Sequence, residues 1–370
     1  MATPPRPPNL PATRRSRLFV VAIVPKSLAR EDNARPKDND SRGEFNEQRP
    51  AARDAVIEDI REVGDGVFAV DTHYVRPRLD ASHLVVADGV AAFVDTGPAS
   101  AVPRLLAALA ARELEPAAVD AIVLTHVHLD HAGGAGALAA ALPRARVIVH
   151  PRGVAHLVDP SQLEAATRAV YGDAAFDRLY GGLVAVPAER IEVAEDGARF
   201  TLGRRSYELV HTPGHALHHL CVFDADSREV FTGDAFGVSY REFDTAAGAF
   251  VLAATTPSQF DPTQMLASID RLLARRPSAA YLTHYSRVEE IERLGADLKA
   301  DVEALAAIAR AAADGPSPRE TIAARIFEHW SRRLDAHGYP ADPQPRDELL
   351  RLDAELNAAG LWSWLTRRRR

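Results

Sequence analysis

Apolar positions along this chain follow two periods, and the change from one to the other outlines the elements. From about Ile57, the segments "GVFAVDTHYV" (66–75) and "SHLVVADGVAAFVDTG" (82–97) run apolar or alternate between Gly- and Asp-containing turns. Such runs predict strands of a meandering sheet. Arg104 to Arg112 is rich in Ala and Leu and predicts a helix. "VDAIVLTHVHLDHAGG" (119–134) predicts a short strand ending in a polar cluster, "AGALAAAL" (135–142) a helix, and "ARVIVH" (145–150) another strand. The middle of the chain therefore alternates strand and helix, as an α/β layered domain does. Pro160 to Gly182, with Tyr171, Phe176 and Tyr180 as apolar anchors, predicts a helical insertion that either covers a site or simply packs. "ARFTLG", "SYELVHTPGH", "HLCVFD" and "EVFTGDAFG" predict a second set of strands between 198 and 237. "TQMLASIDRLLARR" is amphipathic, "SAAYLTH" predicts one more strand, and helices are expected from there to Arg370.

Composition adds three constraints. With 370 residues, 46% hydrophobic and 26% charged, the chain can build a large core without a staple. A metal cluster in it is therefore expected to be catalytic rather than structural. The division expected is a disordered leader at 1–54, a catalytic domain at 55–300 and a helical C-terminal extension at 301–370. The leader's apolar run, Leu18 to Val24, is too short to span a bilayer. A cytoplasmic location is expected, with export through a twin-arginine-like leader ("TRRSRLFVVAIVPKSLA") as the alternative. The net charge of −7 gives no general pull toward nucleic acid or membrane. The basic clusters at Arg14, Arg15 and Arg17 and at Arg367 to Arg370 read as solvated termini. The lone cysteine, Cys221, excludes an internal disulfide and a thiolate metal cluster.

The chemistry concentrates in seven residues. His126, His128, Asp130 and His131 share "THVHLDHAGG", while His215 lies in "TPGHALHH", Asp234 in "FTGDAFG" and His284 in "YLTHYS". Each group follows an apolar strand, where sites gather in α/β architecture. Imidazole and carboxylate suit zinc, iron or manganese. His126 and His128, two apart in an extended loop, face the same way and can reach one metal. Asp130 and His131 follow where the chain turns into a helix, so they can be aimed at a second. Gly133 and Gly134 let backbone pack close to the site. No G-x-S-x-G motif offers a serine nucleophile.

The segments "FVDTG", "THVHLDHAGG", "TPGH", "FTGD" and "LTHY" resemble the metallo-β-lactamase superfamily over about Val56 to Arg287. The resemblance implies an α/β (α+β) fold, a four-layer αββα sandwich, here with a helical C-terminal extension. It implies that His126, His128 and His215 hold one divalent metal, that Asp130, His131 and His284 hold a second, and that Asp234 bridges them. Zinc is the first choice, ahead of iron or manganese. Asp95 would orient the site from behind, and His219 is likewise placed behind the ligands, together with His218. The implied activity is a metallo-hydrolase in which two metals activate a shared water against a small ester, thioester or lactone, with Asp130 and Asp234 counted as catalytic. The aspartate bridge points to the glyoxalase II and lactonase branches rather than to true β-lactamases. The alternatives are a phosphodiesterase, a mononuclear-iron sulfur dioxygenase and a catalytically quiet binding protein. A small-molecule substrate is the expected partner, with a homo-oligomer open. Tyr240 and Tyr285, and with them Arg241, follow metal ligands closely and are weaker candidates to contact substrate. His73 and His83 could face the cleft. His150 and His211 read as structural, His329 and His337 as bystanders outside the motifs, and Trp330, Trp362 and Trp364 as helical packing.

Overall fold

The computed structural model describes residues 59–255, 259–340 and 343–368. The expected leader lies outside the described residues, as do Arg369 and Arg370 of the basic tail and part of the expected loop "TTPSQFDP". Two sheets face each other. The first has seven strands in sequence order: β1 (Ile60–Gly64), β2 (Val67–Asp71), β3 (Ala81–Ala87), β4 (Val90–Val94), β5 (Val119–Val123), β6 (Arg146–Val149) and β7 (Ile191–Val193). β1 to β4 form an antiparallel meander, and β4 to β7 run parallel. The second has six, β8 (Arg199–Leu202), β9 (Arg205–His211), β10 (Leu220–Asp224), β11 (Glu229–Gly233), β12 (Ala279–Leu282) and β13 (Ser286–Val288), again in sequence order across the sheet.

Alternation along each strand decides which layer a side chain joins. In β5, Ala121 and Val123 face the second sheet, where they meet Leu220, Val222 and Phe231. Ile122 points the other way, into a layer with Leu105 and Leu109 of α1 (Val102–Ala111) and Leu138 of α3 (Ala135–Ala141). A single turn, α2 (Leu129–Ala132), precedes α3. On the outer face of the second sheet, Cys221, Val230 and Ala280 pack with Ile269 of α7 (Pro262–Leu273) and Leu298 of α8 (Ile291–Ala312). The result is the expected αββα sandwich.

The C-terminal helices α8, α9 (Pro318–Ala336) and α10 (Pro343–Arg368) share that last core with the second sheet. The expected division between 300 and 301 thus falls inside one continuous helix, α8. The helical stretch expected at 160–182 is two helices, α5 (Ser161–Tyr171) and α6 (Asp173–Tyr180), broken at Gly172, whose φ is +82°, and a short α4 (Val154–Val158) precedes them. Tyr171, Phe176 and Tyr180 are buried with Tyr74 and Leu129, so this insertion lies against the polar cluster that follows β5. Among the described residues, no helix is long and apolar enough to cross a membrane.

Candidate metal centre

All seven predicted residues are buried at one edge of the two sheets. Those of the first sheet follow β5. His128 is extended (φ −65°, ψ 152°) and precedes α2, whose single turn carries Asp130 and His131. His215 sits in the turn between β9 and β10. Gly214 in that turn has φ +140°, and a Cβ there would lie 2.3 Å from the Met265 Cα, so the tight "PGH" turn requires glycine. Asp234 follows β11 directly, and His284 lies between β12 and β13.

The ligand atoms form two overlapping groups. His126 Nε2 and His215 Nε2 lie 2.8 and 3.1 Å from His128 Nδ1. His131 Nε2 is 4.0 Å from Asp130 Oδ2, and His284 Nε2 is 3.7 Å from the same oxygen. Asp234 stands between the groups. Its Oδ2 is 3.4 Å from His215 Nε2, while its Oδ1 is 3.3 Å from His131 Nε2 and 3.7 Å from His284 Nε2.

Charge and burial act differently on the two groups. Burial, with neighbouring imidazoles, holds His126 and His128 well below the usual histidine range. They are neutral and keep a lone pair to donate. His131 and His284 are pulled down by burial too, but Asp234 leads the carboxylates that raise both above the ordinary value. Burial pushes Asp234 up, and His131, His215 and His284 outweigh it to bring the carboxyl well below its usual range. Asp130 Oδ1, His131 Nε2, Asp234 Oδ1 and His284 Nε2 are buried without a hydrogen-bond partner. Buried polar atoms are rarely left so. Two imidazole nitrogens and two carboxylate oxygens facing one spot are a donor set that fits a divalent cation.

The opposite ring nitrogens are anchored. Asp95 Oδ2 accepts from His131 Nδ1 at 2.8 Å and from Thr283 Oγ1 at 2.9 Å, and Asp95 Oδ1 accepts from the Thr125 amide at 2.8 Å. Leu79 O is 2.8 Å from His284 Nδ1, and Ala254 O is 3.0 Å from His215 Nδ1. His219 Nε2 accepts from the Asp234 amide at 3.2 Å, while His218 Nδ1 faces the Val127 amide at 3.4 Å. Each anchor fixes which nitrogen is left for a metal.

The weaker sequence candidates land in several places. Tyr285 packs on Ala69 and Ala81, and burial with the charge of Asp71 pushes its hydroxyl up to about 12. It thus faces the first sheet. Tyr240 is buried, and burial with the charge of Asp353 pushes its hydroxyl well above the ordinary value. Arg241 binds Ser239 O. His83 lies against Phe231 and Tyr281, His150 packs on His211 with the rings tilted, and Trp330 donates to Asp301. Exposed His73 pairs with Asp59.

Sequence reasoning missed several neighbours of the site. Asp80 is fully buried, accepts from Thr72 Oγ1 at 2.9 Å, and is pushed up to about 7 by burial. Asp301 of α8 accepts from the Ala253 amide at 2.9 Å, and Asn357 of α10 from the Thr255 amide at 2.6 Å. These two side chains clamp the backbone on either side of Ala254, whose carbonyl orients His215.

Residues 75–284, more than half of the chain, match the family model of the metallo-beta-lactamase superfamily. The chain is 30% identical over 170 residues to the metallo-beta-lactamase fold-containing protein ST1585 of Sulfurisphaera tokodaii, covering 45% of this chain and 60% of that one. It is 31% identical over 182 residues to a hydroxyacylglutathione hydrolase of Aeromonas hydrophila (49% and 51% covered). It is 27% identical over 188 residues to the bovine acyl-coenzyme A thioesterase MBLAC2 (47% and 64%). The chain thus spans between half and two thirds of the length of these relatives. Among solved structures, the metallo-beta-lactamase family protein TTHA1429 of Thermus thermophilus superposes with a TM-score of 0.59 at 20% identity, covering 82% of this chain and 94% of that one, a likeness of fold alone.

Proposed function

The chain belongs to the metallo-beta-lactamase superfamily, and we propose that it is a two-metal hydrolase of a small thioester or ester. The observation that carries this reading is the convergence of seven buried donor residues with four of their polar atoms unpartnered. His126, His128 and His215 would hold one cation and Asp130, His131 and His284 the other, with Asp234 reaching both; zinc is the cation we favour. Bound there, two divalent cations would supply Lewis acidity and a water acidic enough to ionise near neutral pH.

The protein's own groups prepare that chemistry. Asp95, Leu79 O and Ala254 O fix the tautomers and tilt of three ligands. Asp234 draws the two halves of the cluster together. Burial under α5 and α6 keeps bulk water away, so charges inside act at low effective dielectric. The named activities of two relatives, both thioester hydrolases, support a thioester before a lactone.

The test is a panel of acyl thioester, aryl ester, acyl lactone and phosphodiester given to the metal-loaded protein, with Asp234→Asn and His128→Ala as controls. Turnover of a carbonyl substrate that falls by at least about 100-fold in both variants, with loss of bound metal, is expected. Preference for the phosphodiester would replace this reading with phosphoryl transfer. Full turnover in either variant would remove the site assignment.

A further inference from the structure

A third carboxylate at the rim of the second ligand group has an oxygen with nothing to bind. Asp80 ends the loop between β2 and β3 and is fully buried. The loop is closed on itself. The Thr72 amide donates to Asp80 O at 3.0 Å, and Thr72 Oγ1 lies 2.9 Å from Asp80 Oδ2 and 3.1 Å from Asp80 O. Asp71 Oδ1 and Oδ2 accept from the amides of His73 and Arg78 at 3.0 and 2.8 Å. Inside this frame His73, Val75 and Arg78 have φ of +55°, +61° and +58°. That region is uncommon for any residue but glycine and an outlier for a β-branched one, and strain of this kind gathers at functional sites.

On both sides of Asp80 the chain is tied to the end of β12 that carries His284. Leu79 O holds His284 Nδ1 at 2.8 Å, and the Ala81 amide donates to Thr283 O at 2.9 Å. Ser82, two residues on and so on the same side of the extended chain, donates to Asp95 O at 2.8 Å, beside the carboxylate that orients His131. Burial pushes Asp80 up, and the strongest charges that reach it are those of His284, His131 and Asp130, the three residues assigned to the second cation. Asp80 Oδ1 nevertheless has no hydrogen-bond partner among the described residues. Nor does it stand where a direct ligand would. Asp130, His131 and His284 bring their ligand atoms within 4.8 Å of one another, and Asp80 is not one of that group. A buried carboxylate oxygen calls for a donor, and a water can supply it across a gap too wide for direct contact.

We propose that Asp80 is a positioning residue of the second cation position, its Oδ1 accepting a hydrogen bond from a water between it and the cation that Asp130, His131 and His284 would bind. Thr72 holds the other oxygen, so the carboxylate is kept from turning away. The inference rests on the two-cation reading of the site and needs no hydrolysis.

The test uses the full-length protein, stripped of metal and titrated with zinc against a chelator of known affinity. His284→Ala, which loses a ligand of the second group, marks the step that belongs to the second cation. Asp80→Asn keeps the shape and loses the charge, while Asp80→Ala loses both oxygens. The second step should weaken by about tenfold or more in each, with the first left in place. Urea unfolding of the metal-free proteins at about pH 8 separates this from a structural role. Asp80 is ionised there, above its value of about 7, and a buried charge with an unpartnered oxygen weighs against the fold. Metal-free Asp80→Asn should therefore unfold at the same urea concentration as the wild type or a higher one. A weakened second step with that unchanged or greater stability upholds the inference. Wild-type affinity for the second cation in either variant overturns it, and so does a lower urea midpoint for metal-free Asp80→Asn. A wild type that binds no second cation removes the two-cation reading, and the role of Asp80 with it.

Discussion

Asp95→Asn tests the logic of the centre at one atom. The Asp95 carboxylate is buried, and its two oxygens take the Thr125 amide, the Thr125 and Thr283 hydroxyls and His131 Nδ1, none further than 3.0 Å. An asparagine keeps the shape but has one acceptor oxygen. If its NH2 takes the Oδ1 place, it meets the Thr125 N–H and leaves both unpaired. If it takes the Oδ2 place, it meets His131 Nδ1, and the ring escapes only by moving its proton to Nε2. A protonated Nε2 cannot ligate a metal. Either outcome removes a hydrogen bond to a charged group, about 1.5–3 kcal/mol of folding stability. Loss of an orienting partner typically costs about 10- to 100-fold in metal affinity, or roughly 1.4–2.7 kcal/mol. The assay is a competition titration against a chelator of known affinity, with urea unfolding of the apo protein alongside. The second metal should be lost selectively, because His131 belongs to that group. An Asp95→Asn protein that binds both metals as tightly as the wild type would refute the reasoning.

Three other outcomes follow from the geometry. Asp301→Ala removes the acceptor for the Ala253 amide and for Trp330 Nε1 and the partner of Arg333, so urea unfolding should show a loss of about 3–5 kcal/mol; Asn357→Ala should cost about 1–3 kcal/mol, and both should weaken the metal held by His215. Burial lowers His83 from 6.5 to about 4. Between those values the unfolded chain binds the extra proton, so stability should fall as pH drops from 6.5 toward 4, by up to about 3 kcal/mol for this group. His83→Gln should flatten that part of the profile of urea midpoint against pH. Gly233 has φ +48°, and a Cβ there would lie 2.5 Å from Thr125 Oγ1 and 2.9 Å from His219 Nε2. Gly233→Ala should therefore cost about 2 kcal/mol or more in thermal unfolding and displace Asp234, seen as reduced metal content.

The cluster was readable in the sequence because each of its members ends an apolar strand in a motif with fixed spacing. The sheets were readable too, since Ala121, Ile122 and Val123 follow the period of two that sorts them into opposite layers. The surrounding residues were not. "RLDAELNAAG" (351–360) is expected only to be helical, with no face assigned, and α10 buries Asp353, Ala354, Leu356, Asn357 and Ala358 together. A helix buried on several sides loses the single apolar stripe by which sequence reveals a face. Asp301 is hidden likewise within α8, and Asp80 is one carboxylate before a strand with no motif around it. Tyr285 misled because nearness to His284 in sequence says nothing about direction. The chain enters β13 directly after it, and its ring is turned onto β2 and β3. The boundary placed at 300 failed to mark a structural break, because a continuing helical pattern carries no sign of which core it joins.

The seven residues of the centre belong to two different sheets. His126, His128, Asp130 and His131 follow β5 of the first, whereas His215, Asp234 and His284 follow strands of the second. Between the sheets lies a broad contact of apolar side chains, joined near this rim by the backbone bonds from the Leu220 amide to Thr125 O and from the Ala81 amide to Thr283 O. Cations bound as proposed would act as rivets through the two layers at one rim. Free metal would then set the strength of the joint, adding about 1.4 kcal/mol for each tenfold rise above the dissociation constant. The same ions that serve the chemistry would thereby make the closeness of the two layers answer to metal supply.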